Sequence, residues 1–222
     1  MQKRSRVMYT HIFFDLDGTL TDPKEGITNS VAYALASFGI HADPDRLTPF
    51  IGPPLIDSFL EFYHFDLPTA QKAVEKYREY FSQKGIFENK VFSGTQPLLA
   101  QLKAQGKTVC LATSKPEVFA RQILEHFHID GCFDHIVGSC LDGTRTKKGE
   151  VIAEVFHRLG HTGPDKGACV MVGDRLHDIQ GARENGLNSI GVTFGYGSLE
   201  ELQQAGATHI ARSFEELARL LG

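Results

Sequence analysis

The sequence predicts an α/β protein: a mostly parallel sheet with helices on both faces, interrupted after its first strand by an all-helical block. Three observations lead there. Continuous apolar runs recur as HIFFD, KTVCLAT and ACVMVGD, the pattern of strands buried from two sides. Amphipathic stretches of helical period lie between them. One stretch, 22–91, has helical periodicity and no strand, far longer than the ~2–6 residues of an ordinary strand-to-helix connection.

The elements follow in order. His11–Asp15 is the first strand, and it runs directly into two carboxylates, Asp15 and Asp17. In the helical block Ile27, Val31, Leu35 and Phe38 recur at helical spacing, as do Ala73, Val74, Tyr77, Tyr80 and Phe81, with PFIGPPLIDSFLEFYHF between them. The joints fall near Thr21–Lys24 and Phe87–Gly94. Residues 1–21 and 92–222 are therefore expected to form the core and 22–91 a helical cap. In the core, 95–106 reads as a helix with Thr95 as N-cap and Gly106 as stop. Residues 107–113 are a strand, and 116–127 a helix with Pro116 in its first turn. HIVG (135–138) is a weaker strand. Residues 148–160 place Val151, Ile152, Val155, Phe156 and Leu159 on one helical face and stop at Gly160. ACVMVGD (168–174) is a strand, NSIGVTF (188–194) a weaker one like HIVG, and SFEELARLL is an amphipathic helix that closes the core. Strand–helix alternation of this kind marks a doubly wound sheet.

Composition excludes some functions. With 222 residues, 41% hydrophobic and 23% charged, the chain can bury one good core and a smaller unit. A net charge of −4 offers no basic surface to a nucleic-acid polymer. No apolar run reaches the ~20 residues of a membrane span. The basic start, MQKRSRVMYT, leads into no apolar segment and is expected to be a loose leader to about residue 8 rather than a secretory signal. The four cysteines form no CxxC pair and read as small core residues in a reducing compartment. A cytoplasmic monomer is expected, since no apolar stripe is left over once cap and core are assigned.

In an open α/β sheet, ligands sit beyond the carboxyl ends of the strands. The first strand ends in Asp15-Leu16-Asp17-Gly18-Thr19, the second in Thr113-Ser114-Lys115, and a later one in Gly173-Asp174-Arg175 with Asp178 four residues on. A helix begins near Lys147-Lys148. Singly, each is an ordinary turn or cap; their coincidence on one rim points to a site.

DLDGT, a strand-end Thr, a Lys and GDRxxD, in this order, resemble the motif set of the haloacid dehalogenase superfamily over nearly the whole chain, the helical insertion included. DLDGTLTDPKEGITNS, IGPPL, TKKGEVI, VGDRLHDIQGARENG and GVTFGYGS look like the phosphoglycolate phosphatase-like and 5'-nucleotidase-like phosphatases. The resemblance implies a Rossmann-like core under a mobile cap and a Mg²⁺-dependent hydrolase of small phosphate esters, phosphoglycolate or a nucleoside 5'-monophosphate. Asp15 would be the nucleophile, ionised without a general base and forming an aspartyl-phosphate. Asp17 would be general acid, then base; Asp15 would raise its pKa and a cation lower it. Mg²⁺ would lie between Asp15, the carbonyl of Asp17 and Asp174, with Asp178 placed to hold metal-bound water or orient the lysine. Thr113 and the amides of Leu16, Asp17 and Ser114 would bind the phosphoryl oxygens. Lys148, preferred to Lys147 on the family pattern, would neutralise their charge. Gly18 would allow close backbone approach. Gly52 and Pro53 are candidates to meet the leaving group. Lys84 and Arg145 are candidates for a carboxylate or second anionic group, with solvated surface charge the plainer reading. A phosphosugar mutase of the β-phosphoglucomutase kind and a pyrophosphatase share the core and are the enzymatic rivals. A protein that binds a phosphate ligand without turnover is the non-enzymatic one. A receiver-like signalling domain is about half this length and lacks the cap.

Overall fold

The computed structural model describes residues 8–160 and 164–222; the leader at 1–7 lies outside them. Strand β1 (His11–Phe14) leads into β2 (Thr21–Asp22). Three helices follow: α1 (Lys24–Ala36), α2 (Leu55–Tyr63) and α3 (Leu67–Tyr80), the last running on into one π-helical turn at Phe81–Gly85. After β3 (Lys90–Val91) come α4 (Thr95–Ala104), β4 (Thr108–Pro116), α5 (Glu117–His126), β5 (His135–Ser139) and α6 (Lys148–Leu159). The chain ends with β6 (Cys169–Gly173), α7 (Leu176–Glu184), β7 (Asn188–Val192), α8 (Leu199–Ala205), β8 (His209–Ala211) and α9 (Phe214–Leu221).

The main sheet has the order β5-β4-β1-β6-β7-β8, parallel at each pairing. The period of two explains why its strands are apolar throughout. Ile12, Phe14, Val109, Leu111, Val170 and Val172 share a cluster with Leu98 and Leu102 of α4, Ile123 of α5 and Leu217 of α9. Phe13, Cys110, Ala112 and Met171 point the other way, onto Val151, Ile152 and Val155 of α6 and Ala182 of α7. Each strand therefore needs apolar side chains at successive positions.

Register places the site. Phe14 is level with Leu111 of β4 and Val172 of β6, so Asp15, Thr113 and Asp174 leave the sheet at one rim. The chain passes from β1 to β4 and β5 on one side, then crosses to β6 on the other. The crevice beside β1 is a topological switch point.

Four boundaries differ from the sequence expectation. The stretch 22–91 is not free of strand: Thr21–Asp22 and Lys90–Val91 pair antiparallel, Thr21 with Val91 and Asp22 with Lys90. Two-residue strands carry no periodic signal, so pattern reading passes over them. For the same reason β8 and the short α8 were not expected. Thr95 is the first residue of α4 rather than its cap, and its hydroxyl instead donates to the Leu20 carbonyl at 2.8 Å, tying the helix to the loop after β1. β4 continues through Pro116, which stands just before α5 rather than within it. Among the described residues no helix is long and apolar enough to cross a membrane. Cys110 and Cys169 are buried, Cys132 and Cys140 half-buried, and all four are free.

Candidate active site

The loop after β1 is wound tightly. The amides of Thr19, Leu20 and Thr21 point back to the Leu16 carbonyl, at 3.2, 2.9 and 3.1 Å, and Gly18 donates to Thr21. Among the described residues the amides of Leu16 and Asp17 donate to no protein acceptor, which leaves them for a ligand. Gly18 has φ +79°, and a Cβ there would stand 2.2 Å from Asp174 Oδ2, so conformation and contact both require glycine.

Around this loop the sequence-predicted carboxylates gather. Oxygens of Asp15, Asp174 and Asp178 lie within 4.8 Å of one another, all three residues buried. Lys148, the first residue of α6, projects its Nζ to 2.8 Å from both Asp15 Oδ1 and Asp178 Oδ1 and donates to the Ala112 carbonyl at 3.0 Å. Lys147 is exposed. Asp174 is held by the Thr19 hydroxyl at 3.2 Å and the Tyr196 amide at 2.8 Å. Asp178 Oδ2 accepts the Arg175 amide at 3.0 Å. The Thr113 hydroxyl, 1% exposed, accepts the Lys115 amide at 3.3 Å, which leaves its proton to be given elsewhere.

Burial governs the electrostatics. It works against the charge of Lys148, but Asp15 and Asp178 outweigh it and hold the ammonium above its ordinary range. Burial pushes Asp174 well up, reinforced by Asp178 and Asp15. Burial also raises Asp178, with Lys148 opposing and Asp15 adding to the rise, and it raises Asp17 against the opposing charge of Lys115. Buried negative charge exceeds what the two lysines neutralise. A crowd of hard oxygen donors with unspent negative charge fits a divalent cation that prefers oxygen. The carboxylates of Asp15 and Asp174 with the Asp17 carbonyl could hold it.

Above the rim lies a cavity of about 220 Å³. Asp17, Ser114 and Lys115 are at its base. Phe50, Tyr77, Phe81 and Phe119 line it, Gly52 to Pro54 edge it, and Arg78 enters from α3. Gly52 and Pro53 are among the residues at this cavity, and Lys84 and Arg145 are not among them. Lys84 is exposed and lies over the Tyr80 ring. Arg145 donates to the Gly138 carbonyl at 2.9 Å and faces Glu117 and Glu154, each at 3.6 Å, so its charge is spent in a brace around α5 and α6.

Two residues at the cavity have no role in the sequence reading: Lys115, which it places only at a strand end, and Arg78, which it does not single out. Lys115 Nζ lies 2.9 Å from Asp17 Oδ2 and 4.4 Å over the Phe81 ring, while the buried Asp17 Oδ1 has no hydrogen-bond partner. The signal was its place directly after Thr113-Ser114. Arg78 sits inside the periodic run of α3, where nothing in the pattern separates a cavity residue from a solvated one.

A model of the haloacid dehalogenase-like hydrolases matches residues 12–192. The chain is 50% identical over 215 residues to a 5'-nucleotidase of Pseudomonas aeruginosa, covering 96% of each. It is 37% identical to the tyrosine-protein kinase PtkA of Mycobacterium tuberculosis, covering 95% of this chain and 72% of that one. Its structure superposes with TM-score 0.92 on the crystal structure of a predicted phosphatase from Clostridium acetobutylicum, 50% identical, over 96% of this chain and 97% of the other.

Proposed function

The chain belongs to the haloacid dehalogenase-like hydrolases and is a phosphatase, and on that premise we propose that it is a Mg²⁺-dependent phosphomonoesterase. It would act on nucleoside 5'-monophosphates through an aspartyl-phosphate at Asp15. The observation that carries the substrate class is the aromatic lining of the cavity by Phe50, Tyr77, Phe81 and Phe119, directly above Asp17 and Lys115. A planar base gains by burial against such rings. The two-carbon carboxylate of phosphoglycolate would leave them unfilled, and a sugar bisphosphate would bring a second charged group into an apolar wall. The 5'-nucleotidase relative agrees with the same class.

Each residue then has a task. Asp15 attacks phosphorus, and the bond to the ester oxygen breaks. Asp17, whose burial favours its protonated form, gives its proton to the leaving oxygen. It then takes a proton from the water that splits the Asp15 acyl phosphate, releasing phosphate and restoring the Asp15 carboxylate and the protonated Asp17. Thr113 and the amides of Leu16, Asp17 and Ser114 orient the phosphoryl oxygens. Lys148 offsets their charge and keeps Asp178 in place. Asp15, Asp174 and the Asp17 carbonyl would hold the Mg²⁺, which would supply charge neutralisation for the phosphoryl group. The helices between β2 and β3 act as a cap that excludes bulk water and admits it for the second half-reaction.

Phosphate release is measured from nucleoside monophosphates, phosphoglycolate, sugar phosphates and pyrophosphate, with Mg²⁺ and with chelator, beside Asp15→Asn. Release that needs Mg²⁺, is fastest with nucleoside monophosphates and is absent in the variant is the expected result. Preference for phosphoglycolate or pyrophosphate would reject the substrate class, and turnover persisting in Asp15→Asn would reject the nucleophile.

A further inference from the structure

Arg175 touches both halves of the molecule and has no task in the chemistry above. It directly follows Asp174, and its amide is bound by Asp178. Its guanidinium reaches away, across the crevice. Nη1 donates to the Ile51 carbonyl at 2.5 Å and Nε to Glu201 Oε1 at 2.9 Å. The same Glu201 oxygen accepts the Leu176 amide at 2.8 Å, so α8 holds both the guanidinium and the start of α7. Ile51 is fully buried and immediately precedes Gly52, Pro53 and Pro54 at the cavity edge. The arginine stem runs along that loop closely enough that a Cβ on Gly52 would stand 2.9 Å from Arg175 Cγ. A planar guanidinium presents Nε and Nη1 to the two acceptors in a fixed fork; a lysine ammonium is a point charge with no donor at the Nε position.

We propose that Arg175 is a positioning residue: it clamps the loop 51–54 onto the carboxyl end of the sheet and so shapes the leaving-group wall, which makes turnover of bulky phosphate esters depend on it more than turnover of small ones. This rests on the phosphatase reading above for its kinetic arm and on the fold alone for its structural arm. One residue then links the strand end that carries Asp174 to the loop that senses the leaving group.

The test takes the full chain with Arg175→Ala, Arg175→Lys and Glu201→Gln, and two measurements. In amide hydrogen exchange, segment 51–58 should open about tenfold faster in Arg175→Ala, the change expected from losing one charge-assisted hydrogen bond. Arg175→Lys and Glu201→Gln should be intermediate, and the strands of the main sheet should stay protected. In kinetics, the ratio of kcat/KM for a nucleoside monophosphate to that for acetyl phosphate should fall about tenfold in Arg175→Ala, through KM, and recover in part in Arg175→Lys. Unchanged exchange at 51–58, or equal loosening of that segment and the sheet, would overturn the clamp. So would equal loss on both substrates. If the wild-type protein hydrolyses neither substrate, the phosphatase reading fails on its own, and the exchange measurement still decides the clamp.

Discussion

Lys148 holds two buried carboxylates at 2.8 Å each, so Lys148→Met should cost about 3–5 kcal/mol of stability, the penalty of leaving buried charge unpaired, and abolish turnover as well; denaturant unfolding reads the first. Asp174 gives a prediction of opposite sign. Burial raises its folded pKa, with Asp178 and Asp15 adding to the rise. Between its unfolded value of ~4 and that raised value the folded protein binds more protons than the unfolded chain. The Asp174 contribution to the stability of the metal-stripped protein is therefore fully present below ~4 and is lost as pH rises through the raised value. Added Mg²⁺ should remove that loss and raise Tm at neutral pH. Asp174→Asn should raise the Tm of the stripped protein at neutral pH and lose the response to Mg²⁺. A stripped Asp174→Asn protein less stable than wild type at neutral pH would contradict the electrostatic account. Lys84 and Arg145 show where residue-level reading stops. Both are cations that could meet an anionic group, yet the fold sets Arg145 against Glu117 and Glu154.

The helical block joins the core through a ribbon of two-residue strands, Thr21–Asp22 beside Lys90–Val91. Asp22 accepts the Lys24 amide at 3.1 Å and is bound by the Tyr196 phenol, whose own amide holds Asp174. The start of α1 is fixed by close backbone approach. The Gly26 amide donates to the Glu88 carbonyl at 2.9 Å, and a Cβ on Gly26 would lie 1.9 Å from the Gly85 carbonyl oxygen. Gly26→Ala should therefore push α1 off the π-helical turn and cost about 1–3 kcal/mol, a fall in Tm of at least about 2 °C, although alanine is the better helix former. A rise in Tm would mean that helix propensity outweighs the contact. Among elements, the long amphipathic helices announced themselves by period and the central strands by unbroken apolar runs. The ribbon of β2 and β3, β8 and α8 did not, because each is too short to carry an internal pattern.

The molecule does not divide energetically where its topology divides. One cluster of buried apolar side chains runs from Ile12 and Phe14 of β1 through Leu16 and Leu20 to Ile27, Val31 and Leu35 of α1 and to Val74 and Tyr77 of α3. Calorimetry should accordingly show one cooperative unfolding transition with equal van't Hoff and calorimetric enthalpies; two resolved transitions would mean that the helical block folds as an independent unit. Charge also acts at this level. At the cavity Lys115 and Arg78 share the lining with Asp17 and Asp57, and a chain of net −4 has little overall attraction for a polyanion.

Periodicity, register of motifs and residue chemistry were enough for a parallel sheet, a helical insertion and the order of acidic strand ends. These are local properties: a strand apolar on both faces or a carboxylate after a strand is written in neighbouring residues. The ladder register then brings Asp15, Thr113 and Asp174 to one rim. The rest needed the folded chain. That Arg175 meets Ile51, and that Lys115 lies between Asp17 and the Phe81 ring, depends on how the helical block settles over the sheet. Such contacts join residues far apart in the chain, and their energies come from burial and mutual placement, for which a linear pattern carries no code.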